Sequence, residues 1–204
     1  MSKYAYYDPA SLRVLDWMDT ELFCYPERTS LIELTEQQWL EHFNQGEYVW
    51  VNVEDRTFTT TLPPGDFYRL DGKVWVYDVA RFALELNNAK SQVKQAIKAQ
   101  RDEVTADYIV IGDYHFHSDA SSRIQQMSLT KMGQAKQIPK GLMWQTKNLG
   151  LLELTNEIAA QFESVTMDHD MRLFANAQRH IAAVEALEDI QAVQAYDYST
   201  GWQP

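Results

Sequence analysis

Hydrophobic positions follow two different periods along this chain. Up to about residue 78 they gather in short β-branched and aromatic runs, KYAYY, RVLDWM, YVWVNV, TFTTTL and KVWVY, separated by polar turn-formers. From residue 79 onward they recur every three to four residues through long stretches rich in Ala, Gln, Lys and Glu. The first pattern predicts strands and hairpins, the second amphipathic helices. The expected fold class is therefore α+β: a small antiparallel β-rich N-terminal module with one helix (residues 1–78), then a helix-rich C-terminal domain with long helices and short β-hairpins (residues 79–204).

Local chemistry marks the borders of these elements. Asp8-Pro9-Ala10-Ser11 suits a type I turn because the proline ring presets the required φ, so Lys3–Met18 reads as a hairpin. In LTEQQWLEHFNQG, Thr35 and Gln38 form a capping box, Leu34 and Trp39 stand at the staple positions, and Gly46 closes the helix. Glu54-Asp55, Pro63-Pro64-Gly65 and Asp71-Gly72 separate the following strands, and Asp71-Gly72 is the strongest hairpin signal.

In the second half, Val79, Phe82, Leu86, Ala89, Val93, Ala96 and Gln100 form one narrow stripe, with Ile97 and Val104 on its edge, and predict a helix over residues 79–105. Two partners suit that stripe: later helices of the same chain, or a second copy in which Gln100 tunes register. A hairpin over 108–117 turns at Gly112-Asp113, and Ser118, Asp119 and Ser121 are candidate caps for a helix over 120–137. A second hairpin follows over 142–154. Thr155 then caps a continuous helix over 156–195, whose stripe starts with Ile158, Phe162 and Val165 and continues on a rotated face as Met167, Met171, Phe174, Ile181, Val184 and Leu187. Such a helix is too long to be covered by a domain this small, so part of it is expected to meet a partner. The final YDYSTGWQP is expected to be irregular and to serve as a contact peptide.

Composition narrows the function classes. The 204 residues carry a net charge of −11, which argues against nucleic acid or an anionic membrane as partner, since both reward neutralisation of phosphate. No apolar run approaches the roughly 20 residues that cross a bilayer, and MSKYAYYDPAS lacks the basic-then-apolar order of a signal peptide. The single cysteine, Cys24, has no internal disulfide partner and fits a reducing cytoplasm.

Candidate chemistry centres on YHFHSDASSRIQQM, residues 114–127. On a strand, His115 and His117 share one face, as a metal-binding His-x-His would. A catalytic zinc needs a third ligand, and His42, His169 and His180 show no spacing that ties them to this pair. The alternative is a capped strand-turn-helix, with Phe116 as a core aromatic, Asp119 as helix cap and Arg123 reaching back to it. Phosphate-binding loops, nucleophile elbows and a Cys–His pairing are absent from the sequence, so no catalytic, cofactor-binding or metal-binding residue is assigned.

Residues 88–187 resemble a phage-encoded family, the domain of unknown function 4376, found in the tail-fibre regions of tailed phages and prophages. The resemblance rests on AKSQVKQAIKAQRDEV, on HFHSDASSRIQQM with Phe116, Ser118, Asp119, Ser122 and Arg123, and on MWQTKNLGLLELT with Trp144, Thr146, Leu154 and Thr155. His115, His117 and LGLLEL depart from the family pattern. YYDPASLRVLDWMDT, LTEQQW and EYVWVN resemble N-terminal modules of tail-fibre assembly proteins. The resemblance implies a non-enzymatic structural or adaptor component of a bacteriophage tail (fibre, tip or baseplate) that is made in the host cytoplasm and located in the virion. Its implied partners are other tail proteins and copies of itself, with a trimer expected because tail fibres are commonly threefold. The alternatives are a tail-fibre assembly chaperone absent from the virion and, more distantly, a metal-dependent enzyme using His115 and His117.

Overall fold

The computed structural model describes residues 2–203, in two compact units that divide between Ala83 and Leu84. In the first unit, β1 (Lys3–Tyr7) lies between β2 (Val14–Asp19) and β3 (Leu31–Glu33) in an antiparallel sheet. The connection turns where Asp8 accepts bonds from the Ala10 amide and the Ser11 hydroxyl, and Leu12 takes a left-handed φ of 58°. Helix α1 (Glu36–His42) carries the full capping box of Thr35 and Gln38. It stops at Phe43, earlier than the pattern predicts, and Gly46 follows in the left-handed region.

Two further hairpins complete this unit: β4 (Trp50–Asn52) with β5 (Thr57–Thr59), and β6 (Tyr68–Asp71) with β7 (Val74–Tyr77) around a left-handed Gly72. Ala5, Val14, Ile32, Leu34, Val49, Val51 and Phe58 form the core, with Trp17 and Trp39 against it. Fully burying one such aliphatic or aromatic side chain contributes ~1.5–3 kcal/mol. The Thr57 hydroxyl donates to the Gly72 carbonyl at 2.9 Å and ties the two hairpins together.

Helix α2 (Val79–Asp107) leads into the second unit. It is followed by the hairpin β8 (Tyr108–Ile111) and β9 (Tyr114–His117), helix α3 (Ala120–Gln134), and the hairpin β10 (Met143–Thr146) and β11 (Gly150–Glu153). Helix α3 ends three residues before the predicted limit because Lys136 turns left-handed at φ 57°, with Lys136 and Gln137 amides bonding back to Gly133 and Met132 carbonyls. That double bond pattern is a Schellman stop, here built on lysine.

The continuous helix predicted over 156–195 is three helices: α4 (Asn156–Ala159), α5 (Phe162–Glu185) and α6 (Ile190–Gln194). A tertiary contact lies at the first break and a local cap at the second. At the first break, α4 lies so close to α3 that a Cβ on Gly133 would sit 2.6 Å from the Ala160 amide nitrogen and 2.8 Å from the Ala159 Cβ. At the second, Asp189 leaves the helical region and accepts from the Ala192 amide, starting a new helix with its own cap.

The buried stripe of α5 also differs from the predicted one. Phe162, His169, Leu173, Ala177, His180 and Val184 face inward, whereas Met167, Met171 and Phe174 face solvent. Two cores result. Ile109, Ile111, Phe116, Leu154, Ala159 and Phe162 form one, with Phe116 and Phe162 edge to face at 5.0 Å. Ala89 and Ile97 of α2 with Ala177, Val184 and Val193 form the other. Leu86, Val93 and Ile97 of α2 therefore meet later helices of the same chain, one of the two partners the stripe allowed. The C-terminal segment folds back onto this core: His180 bonds the Tyr196 hydroxyl and the Thr200 carbonyl, and Trp202 stacks on its ring.

Candidate functional site

The stretch that opens α3 builds a single polar node. Asp119 accepts from the Ser121 and Ser122 amides and the Ser122 hydroxyl, which hold its carboxyl below the usual range. This fixes the first turn of α3 and aims Arg123 inward. The Arg123 Nε donates to the carbonyl and hydroxyl of buried Ser118 at 2.8 and 3.0 Å. Its Nη2 reaches the Thr105 carbonyl at 2.9 Å, and its two terminal nitrogens grip Asp170 of α5 at 2.6 and 2.8 Å. One guanidinium thus joins the end of α2, the β9–α3 turn and α5 in the bidentate geometry that arginine supplies and lysine does not.

Electrostatics follow from this geometry. Burial works against ionisation of Asp170, but the bonds and charge of Arg123, with help from His169, outweigh it and hold the carboxyl below its ordinary value. His169 is pushed the other way. Burial lowers its affinity for a proton, and the hydrogen bond to Asp170 at 3.3 Å only partly offsets that. Its Nε2 is buried without a hydrogen-bond partner, so the ring is a neutral member of the core.

Beside the node, α3 and α5 enclose a groove of about 220 Å³. Gln126 and Phe162, both almost fully buried, form its floor, and exposed Met127 and Met167 form its rims. The Gln126 side-chain amide donates to the His117 carbonyl at 2.8 Å, while its Oε1 is buried and unpartnered. Ile124 and Met127 on α3 and Met167, Met171 and Phe174 on α5 are 54% to 68% exposed, so the two helices that form the groove carry exposed apolar, polarisable side chains.

The histidines that suggested a metal centre occupy other roles. His115 stacks on Tyr108 at 4.3 Å and 7°, and its amide and carbonyl are held by Asn148 and the Lys147 amide. His117 is half-buried and its carbonyl holds Gln126. His169 and His180 lie in the α5 core stripe, and His42 packs between Trp17 and Trp39. Among the described residues, no three of His, Cys, Asp or Glu come together as metal ligands would.

Sequence reasoning reached Phe116, Ser118 and Asp119, but Arg123 does not reach back to Asp119 as expected: it binds Ser118, Thr105 and Asp170, and Asp170, Gln126 and the groove were missed. The available signal was polar residues, Gln126, His169 and His180, at positions where the helical period places core.

The profile of the family described as domain of unknown function (DUF4376) matches residues 88–200, more than half of the chain. The chain belongs to the DUF4376 family. No curated protein and no solved structure matches it. The DUF4376 region begins inside α2 and includes both later hairpins, α3 to α6, the Arg123 node and the groove. The first 87 residues lie outside the match.

Proposed function

We propose that this protein is a non-enzymatic structural or adaptor component of a bacteriophage tail, at the fibre, tip or baseplate, that works by docking other tail subunits. The observation that carries the reading is the exposed apolar side chains of α3 and α5 inside the DUF4376 region: Met127 and Met167 line a groove, and Ile124, Met171 and Phe174 are exposed on the same two helices. Exposed apolar surface at a groove marks interaction sites. The polar chemistry beside it is engaged in the fold: Arg123 joins α2, the β9–α3 turn and α5, Asp170 binds Arg123 and His169, and His169 is sealed in the core. The phage setting rests on the resemblance of HFHSDASSRIQQM and MWQTKNLGLLELT to a domain of tail-fibre regions. On this reading the protein is made in the host cytoplasm, resides in the virion tail, and contacts tail proteins and copies of itself.

Quantitative mass spectrometry of purified particles tests it. Stoichiometric copies are expected in the virion. Their absence, with the protein required for fibre assembly in infected cells, would replace the structural role by that of an assembly chaperone.

A further inference from the structure

The first unit holds a second cavity, of about 350 Å³, that the DUF4376 match does not cover. Three aromatic residues line it: Trp50 of β4, Tyr68 of β6 and Trp75 of β7. Trp50 and Trp75 meet edge to face at 6.3 Å and 79°, and the Trp75 indole N–H is anchored on the Thr61 carbonyl at 2.7 Å, so this wall is held in place before any ligand arrives. Arg69, Arg81 and Asp66 are the charged residues of the lining, all three exposed. Neither arginine forms a salt bridge among the described residues.

These features restrict the ligand. Residues 1–83 carry 7 basic and 14 acidic side chains, so two guanidinium groups without salt-bridge partners at one concavity run against the local charge balance. Arginine is the side chain best matched to a carboxylate or phosphate. Counting Asp66, the lining has a net charge of one (two arginines less one aspartate), enough for a monoanion but poorly matched to a di- or triphosphate in so acidic a module. Indole and phenol faces favour a ring with a flat apolar side, and Asp66 can accept from hydroxyl groups. The volume falls at the small end of ligand pockets, which begin at roughly 300 Å³. From these constraints we infer that the cavity of the first unit binds a carboxylated sugar ring, stacked on the tryptophan wall with its carboxylate toward Arg69 and Arg81.

Calorimetric titration of the full chain with methyl β-D-glucuronide, methyl β-D-glucoside, acetate and adenosine monophosphate tests this inference independently of any role in a particle. Saturable one-to-one binding of the glucuronide is expected, at least about tenfold tighter than the glucoside, with no saturation by acetate. Arg69→Ala and Arg81→Ala, both at exposed positions, should keep the thermal midpoint and erase most of that tenfold preference. Trp75→Phe should weaken both sugars while leaving their ratio unchanged. Absence of saturation by the glucuronide, equal affinity for the glucoside, or arginine variants that bind like the parent would each overturn the proposal. Tighter binding of the nucleotide would replace it with a nucleotide site, and acetate binding as well as the sugar would reduce the cavity to an anion site.

Discussion

The two units solve the problem of a unique fold in different ways. The first has an apolar core, from Ala5 to Phe58, and buries only Asp19 and Asn52 among its described polar side chains; turns and caps such as Asp8 with Ser11 and Thr35 with Gln38, and a few longer bonds such as Thr57 to Gly72, supply its polar order. The second buries Ser118, Gln126, Thr130, Thr146, His169 and His180 beside its aromatic core. Each inward polar group must find a partner or lose free energy, so a wrong register of α3 against α5 leaves several unpaired at once. Apolar packing tolerates small shifts, whereas a guanidinium fitted to backbone and side-chain acceptors of three separate residues does not.

Removing Arg123 should have the largest effect on this contrast. Arg123→Ala leaves Asp170, Ser118 and the Thr105 carbonyl without their donor, and a loss of ~3 kcal/mol is expected in urea unfolding. The same change at Arg69, exposed and without a salt bridge in the first unit, should stay within about 0.5 kcal/mol. A loss at Arg123 no greater than at Arg69 would show that the node does not hold the second unit.

Next in size is Gly133→Ala, which drives a methyl group into the Ala160 amide and the Asn156 carbonyl. Overpacking of this kind costs ~1–3 kcal/mol, although alanine is otherwise the better helix former. A rise in thermal midpoint would mean that α4 does not rest on α3 as described. In the first unit, Thr35→Ala removes one capping box and should cost ~1 kcal/mol, read by thermal unfolding.

The smallest expected effect is that of pH, and it weakens the second unit more than the first. Burial depresses the His169 proton affinity below its ordinary value of 6.5. The unfolded chain therefore takes up a proton there that the folded chain resists, and the stability this provides is present above pH 6.5 and lost as pH falls. Asp170, also depressed from its ordinary 3.8, adds a further loss at lower pH as it is forced to protonate. The first unit has no fully buried histidine among its described residues. Chemical unfolding monitored by tryptophan substitution in each unit, from about pH 7.5 to about pH 5.5, should show the second unit weakening more. His169→Gln should flatten that difference, and an unchanged pH profile would contradict neutral burial of the ring.

What could be read without tertiary structure was short in range. Thr35, Asp119 and Thr155 all cap helices by accepting amides two or three residues ahead, and the β8–β9 hairpin occupies the predicted 108–117 with its turn at Gly112. The long-range features were illegible for a physical reason. Arg123 and Asp170 are 47 residues apart, and neither neighbourhood encodes the other's position. The period of α5 offered two stripes, Met167-Met171-Phe174 and His169-Leu173-Ala177, and the more hydrophobic one is exposed. Only the docking of α3 and α2 decides which stripe is covered, because burial depends on what stands opposite.

By itself, then, the sequence determined the two periods, the caps, the hairpins and the membership of residues 88–200 in their family. Those properties rest on interactions spanning a few residues or on a preserved order of motifs. Tertiary structure alone decided that His169 and His180 belong to the core, that α4 packs on α3 at Gly133, and that methionines line an open groove. Each depends on where distant elements meet, and that is set by the free energy of the whole packed unit.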